Sequence, residues 1–148
     1  MVELRAITED NFLDAFHLRL APGQEEFVSH PIRSLAQAYV YRDQCQPFGI
    51  YAEGKMVGYV MVIYDCDVPE YDIWHMMIDR EEQGRGYGGE ALDRVIEYIR
   101  TKPFGSSDRI ALTCGKRNSA ARKLYEKKGF SATGNEDEEE TELAMTIG

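Results

Sequence analysis

Cationic residues are in short supply: 17 lysines and arginines face 26 aspartates and glutamates, leaving a formal net charge of −9. That sign repels nucleic-acid phosphates and anionic lipid and attracts cations, so neither nucleic acid nor a membrane surface is an expected partner. Cysteine is scarce too. Cys45, Cys66 and Cys114 stand far apart, without the close pairs of a metal knot or a disulfide framework, and read as small side chains with no catalytic role. No metal is expected. Apolar runs long enough to span a bilayer, roughly 20 residues, are missing, and Met1-Val2-Glu3-Leu4-Arg5 lacks the basic start and apolar stretch of a secretory signal. A soluble, cytoplasmic protein is the expectation. The 148 residues, 43% of them hydrophobic, suffice for one core but not for two ordinary domains, so 1–148 reads as a single domain.

What is present is an alternation of helical and strand patterns. A strand is predicted at 2–7, then a helix carrying Phe12, Ala15 and Phe16, broken by Pro22-Gly23. Pro31 suits the start of a second helix with Ile32, Leu35, Ala36 and Tyr39 on one face. β-Branched and aromatic residues then predict strands at 48–52 and 56–64 joined by Glu53-Gly54-Lys55, and a third at 71–79. Leu92, Val95, Ile96 and Ile99 follow at the spacing of a buried helical stripe. A strand at 109–114 precedes a helix that opens at Asn118 and stops at Gly129, and strands at 130–133 and 142–147 close the chain. The order β-α-α-β-β-β-α-β-α-β-β has no internal repeat. It predicts a mixed α/β (α+β) domain with a mostly antiparallel sheet flanked by helices.

The segment Gln83-Gly84-Arg85-Gly86-Tyr87-Gly88-Gly89 puts four glycines between a strand end and a helix start. Glycine exposes backbone N–H groups, and a helix N-terminus adds unpaired donors and partial positive charge, so the turn suits a pyrophosphate. Gly84, Gly86 and Gly89 match the dinucleotide fingerprint G-x-G-x-x-G literally, but the next strand runs into Gly115-Lys116 and lacks the acidic residue that fingerprint needs. A Walker loop would need Gly-Lys-Ser or Gly-Lys-Thr, and neither occurs.

Gln83, two residues, Gly86, one residue and Gly88 reproduce the coenzyme A signature of the GNAT superfamily, which this chain resembles. The resemblance extends to the preceding strand, the following helix and the run Asn118 to Phe130. It implies an acetyl-CoA-dependent N-acetyltransferase acting by direct attack in a ternary complex. It further implies that the backbone of Met76, Met77 and Ile78 bonds the pantetheine arm, and that Gln83 to Gly89 cradle the pyrophosphate. Asn118 would contact the coenzyme, and Tyr125 would hand a proton to the leaving thiolate. A phenol near pKa 10 beside a thiol near 8.5 suits that transfer. Relatives often pair, so a homodimer is also implied.

Many relatives carry an acid nine residues before the signature's first residue, where this chain has Trp74. Strand alternation places Asp72, Trp74, Met76 and Ile78 on one face and His75 on the other. Asp72 is therefore nominated as base at the acceptor mouth, directly or through water. Trp74 is a core anchor or a wall of the amine site through cation–π contact. The loop holding Gln24, Glu25, Glu26 and Phe27 is either solvated or an acidic, aromatic pocket for a polyamine, which needs carboxylates for its ammonium groups and apolar contact for its methylenes. Together with 71–89 it resembles the bacterial spermine/spermidine acetyltransferase group. The alternatives are an acetyltransferase for a protein lysine or N-terminal amine, and a coenzyme A sensor without catalysis. The acidic run Glu136 to Glu140 is a solvated loop or an aid in drawing in a polycation.

Overall fold

A computed structural model describes residues 1–24 and 29–148 of the chain. The elements are β1 (Val2–Ala6), α1 (Phe12–Phe16), α2 (Pro31–Val40), β2 (Cys45–Ala52), β3 (Lys55–Asp65), β4 (Glu70–Ile78), α3 (Tyr87–Arg100), β5 (Arg109–Gly115), α4 (Ser119–Lys127), β6 (Ser131–Glu136) and β7 (Glu140–Thr146). This is the expected order, although α1 stops well short of Pro22. The seven strands form one sheet in the order β1-β2-β3-β4-β5-β7-β6. Every neighbouring pair is antiparallel except β4 and β5. Those two are joined through α3, as a parallel pair requires a crossover.

Local chemistry explains the elements. Glu53 and Gly54 both have positive φ, 52° and 80°, which is the two-residue turn whose twist matches a hairpin. β3 is buried from Met56 to Tyr64 because helices cover both faces of the sheet at its centre, so the strand reads as an unbroken apolar run. Gly58 permits the close approach of β4: a Cβ there would lie 2.4 Å from the Met77 carbonyl oxygen. On one face Val60, Val62, Tyr71 and Ile73 pack against Leu92, Val95 and Ile99 of α3. On the other, Tyr59, Met61 and Met77 pack with Ala15, Leu18 and Ala38.

The buried face of α2 differs from expectation. Pro31, Ser34 and Ala38 point inward, while Ile32 and Tyr39 are 50% and 63% exposed. The inward stripe is small because Ser34 reaches polar partners on β3 and β4, the Tyr59 hydroxyl at 2.8 Å and the His75 ring at 2.7 Å. Hydrophobicity alone therefore marks the wrong face of this helix. We predict that Leu92→Ala costs about 2–5 kcal/mol in urea unfolding, whereas Ile32→Ala costs about 0.5 kcal/mol.

Candidate active site

β4 ends at Ile78, and the chain turns there because buried Asp79 accepts hydrogen bonds from the amides of Arg19 (2.7 Å) and Glu81 (3.1 Å). Gly84 and Gly86 follow at φ +82°, and Gly86 is the N-cap of α3, with no side chain capping the helix. A Cβ on either glycine would meet nothing within 4 Å, so conformation, rather than a neighbouring atom, demands glycine at both. The open ground in front of the α3 amides suits a pyrophosphate. Gln83 folds back, its Nε2 donating to the Ile78 carbonyl (3.0 Å) and to Gln24 Oε1 (3.3 Å). Arg85 instead leans on Glu82 at 3.7 Å. Gly88 and Gly89 sit against Leu124, so α3 and α4 approach closely at this end. Tyr87, with Met76 and Ile78, packs on the sheet core.

These elements enclose a cavity of about 580 Å³. Its walls are Met76 to Ile78 of β4, the turn from Gln83 to Gly88, and Asn118, Leu124 and Tyr125 at α4, with Ala21 to Gln24 at its edge. The Asn118 side chain caps α4 by accepting from the Ala121 amide at 3.3 Å. Tyr125 packs edge-on against Phe130, and burial, with a smaller contribution from Cys114, pushes its pKa up to about 12. The phenol therefore keeps its proton throughout the neutral range.

β4 does not alternate regularly. Met61 pairs with Trp74 and Tyr59 pairs with Met77, so His75 and Met76 together oppose Val60, which makes a β-bulge. His75 takes φ +60°, a conformation that costs an L-residue about 1–2 kcal/mol. Beyond the bulge the faces exchange: Met76 and Ile78 turn to the α3 side, while Trp74 and Met77 lie on the α2 side. The expected common face of Asp72, Trp74, Met76 and Ile78 is thus broken after Trp74. His75, expected on the opposite face, lies beside Trp74, with ring centroids 5.5 Å apart. Its Nδ1 is 2.7 Å from Ser34 Oγ, and burial first, then Arg33, pushes its pKa down to about 4.

A second cavity of about 410 Å³ opens on this face. Trp74, His75, Gln37, Thr113 and Glu140 line it, and Met76 and Tyr125 are walls of both cavities. Gln37 Oε1 is buried with no hydrogen-bond partner among the described residues. A carboxylate, an uncharged imidazole and aromatic faces together favour a cationic guest.

Asp72 lines neither cavity. It sits where β4 and β5 still pair, Asp72 opposite Ala111, and the strands have not yet parted, which corrects the expectation that it reaches the acceptor mouth. Burial first, then Glu70, Asp65 and Glu142, hold its pKa well above the usual carboxylate range. Gln24, expected beside the acceptor, lines the first cavity and caps its own turn by accepting from the Ala21 amide at 2.9 Å. Glu25, Glu26 and Phe27 lie outside the described residues. Sequence reasoning missed Gln37, Thr113 and His75 as cavity residues. For Glu140, the acidic run it closes was a signal without a location.

The Acetyltransferase (GNAT) family matches this chain over residues 8–130. The chain is 26% identical to the spermine/spermidine N(1)-acetyltransferase of Bacillus subtilis (strain 168), covering 92% of this chain and 91% of that protein. Its fold is similar to spermidine N-acetyltransferase from Vibrio cholerae, solved in complex with CoA and spermine (TM-score 0.80, 18% identity, 99% of this chain and 95% of that one). It is also similar to the ribosomal-protein-S18-alanine N-acetyltransferase from Escherichia coli (TM-score 0.74, 19% identity, 100% and 95%).

The lowered pKa of His75 has a consequence for stability. In the unfolded chain the ring protonates near pH 6.5, in the folded chain only near 4, so the unfolded state binds more protons between these values. Folded wild type should therefore lose stability relative to His75→Asn as pH falls from 6.5 to 4, a difference read from unfolding midpoints of the two proteins across that window.

Proposed function

The chain belongs to the GNAT acetyltransferase family, and from that premise we propose that it transfers the acetyl group of acetyl-CoA to a primary amine of a spermine- or spermidine-like polyamine. The observation that carries this reading is the pair of cavities sharing Met76 and Tyr125 as walls, the first beside a phosphate-sized glycine turn, the second furnished for a cation. The name of the Bacillus subtilis relative supports the polyamine choice. So does the net charge of −9, which raises the local concentration of polycations.

In this reading the amides at Gly84 to Gly89 hold the pyrophosphate, helped by the α3 N-terminus. Beyond Asp72 the β4 edge has no ladder partner on β5, so the edge along Met76 and Met77 is open for an extended pantetheine arm to bond as a strand would. Gln83 braces that edge by its bond to the Ile78 carbonyl. Bound acetyl-CoA supplies the activated thioester. Tyr125, protonated and on the shared wall, donates its proton to sulfur as the carbon–sulfur bond breaks. The second cavity takes the amine: Glu140 accepts its N–H groups, and Trp74 flanks the methylenes. Desolvation there helps an alkyl ammonium of pKa near 10.4 reach its neutral, nucleophilic form.

Thiol release from acetyl-CoA, measured with spermine, spermidine, putrescine and a lysine peptide, tests the proposal. Saturable turnover with spermine or spermidine far above the peptide is expected. A preference for the peptide would move the chain to protein acetylation, and coenzyme binding without turnover on any amine would make it a sensor. Tyr125→Phe should lower kcat by about 100-fold with coenzyme affinity kept.

A further inference from the structure

Ser34 is wholly buried, and its one hydroxyl touches three groups: the Tyr59 hydroxyl at 2.8 Å, His75 Nδ1 at 2.7 Å and Met61 Sδ at 4.0 Å. Tyr59 is also wholly buried, and desolvation raises its pKa, so its proton stays on and needs an acceptor. Ser34 Oγ is the only acceptor it has among the described residues. A thioether accepts and cannot donate. One arrangement makes all three contacts at once: Ser34 donates to Met61, and its two lone pairs receive the Tyr59 O–H and the His75 Nδ1–H. The hydroxyl is then fully used, as a buried polar group should be. Nδ1 carries the proton in this arrangement, so Nε2 of the neutral ring keeps its lone pair. Nε2 has no hydrogen bond to any described residue, and the ring lines the second cavity.

We propose that His75 Nε2 is the proton acceptor for the attacking amine, held in the correct tautomer by the Tyr59–Ser34 pair. This rests on the reading of the second cavity as the amine's entrance. The bulge places the ring there: regular alternation would have sent His75 to the opposite face from Trp74. Around the ring are Ser34 and the charge of Arg33 on α2, with Tyr59 on β3 behind Ser34, and Tyr125 on α4 and Glu140 on β7 line the same cavity. Burial and Arg33 keep the imidazole uncharged at neutral pH, so the base is always unprotonated and adds no positive charge against an incoming ammonium. Its weak proton affinity is no obstacle to the transfer. As the amine's lone pair becomes the nitrogen–carbon bond, the nitrogen's protons turn strongly acidic.

The step balances. A neutral amine nitrogen bonds to the acetyl carbon, the carbon–sulfur bond breaks, Nε2 takes the nitrogen's proton and Tyr125 gives its own to sulfur. His75 then releases its proton through the cavity to water and Tyr125 is reprotonated, leaving amide and thiol. An incoming ammonium loses its first proton to water on entry.

His75→Asn tests this with little risk to the fold, because asparagine tolerates φ +60° and its amide N–H can still donate to Ser34. Using whichever amine wild type acetylates fastest, kcat should fall by about 100-fold or more, while coenzyme A affinity, measured by calorimetry, stays unchanged. Imidazole added to His75→Ala should restore part of the rate. Independently of any acceptor, the ring ¹⁵N shifts of wild-type His75 at pH 7, assigned by their loss in His75→Asn, should show a protonated Nδ1 and an unprotonated Nε2. A kcat for His75→Asn within about threefold of wild type, below the usual range for losing a general base, or an Nδ1 without its proton, overturns the proposal. Absence of polyamine turnover in wild type would instead strike the choice of acceptor and leave the ¹⁵N result to decide on His75.

Discussion

β4 and β5 share ladder contacts at Tyr71 with Ile110 and at Asp72 with Ala111, and then part. A parallel pair that stops after two registers leaves one edge of β4 with backbone donors and acceptors that have to be satisfied by something else. The separation is held open from both sides. β5 is drawn along its other edge by pairing with β7 from Arg109 to Gly115, and β4 is displaced by the bulge at His75 and Met76. Both cavities open along this gap, and Met76 and Tyr125 line both of them. A two-substrate transfer needs that geometry, since donor and acceptor must arrive from different directions and touch at one point.

Charge is distributed to match. The glycine turn and the α3 N-terminus present amides and a positive dipole end to the first cavity, whereas no lysine or arginine is among the described residues lining the second. Under the proposed function, this difference sorts anionic phosphates and a cationic amine between the two entrances. Two half-buried side chains beside the gap are uncharged at neutral pH: Tyr125 holds its proton and His75 lacks its second one, both chiefly because burial disfavours the charged form.

Much of this was legible in the chain. The α3 stripe of Leu92, Val95, Ile96 and Ile99, the glycine turn before it, and the run from Asn118 to Gly129 are local patterns, and local patterns survive folding. What was not legible arises from distance or from insertion. Gln37, Trp74, Thr113 and Glu140 come from four separate elements or their flanks and carry no mutual spacing. The bulge shifts the register of β4 by one residue without any glycine or proline in the strand to announce it, so alternation placed Met76 and His75 on the wrong faces. The inward stripe of α2 escaped a hydrophobic reading because its key contact, Ser34, is polar.

In the proposed reaction, donor and acceptor meet across the wall formed by Met76 and Tyr125. A crystal structure of the chain with a covalent coenzyme A–spermidine adduct would show this contact. The sulfur is expected beside Tyr125, the pantetheine arm along the open edge of Met76 to Ile78, and the polyamine chain in the cavity of Trp74, Gln37 and Glu140. A polyamine moiety lying elsewhere, with the second cavity filled only by water, would contradict it.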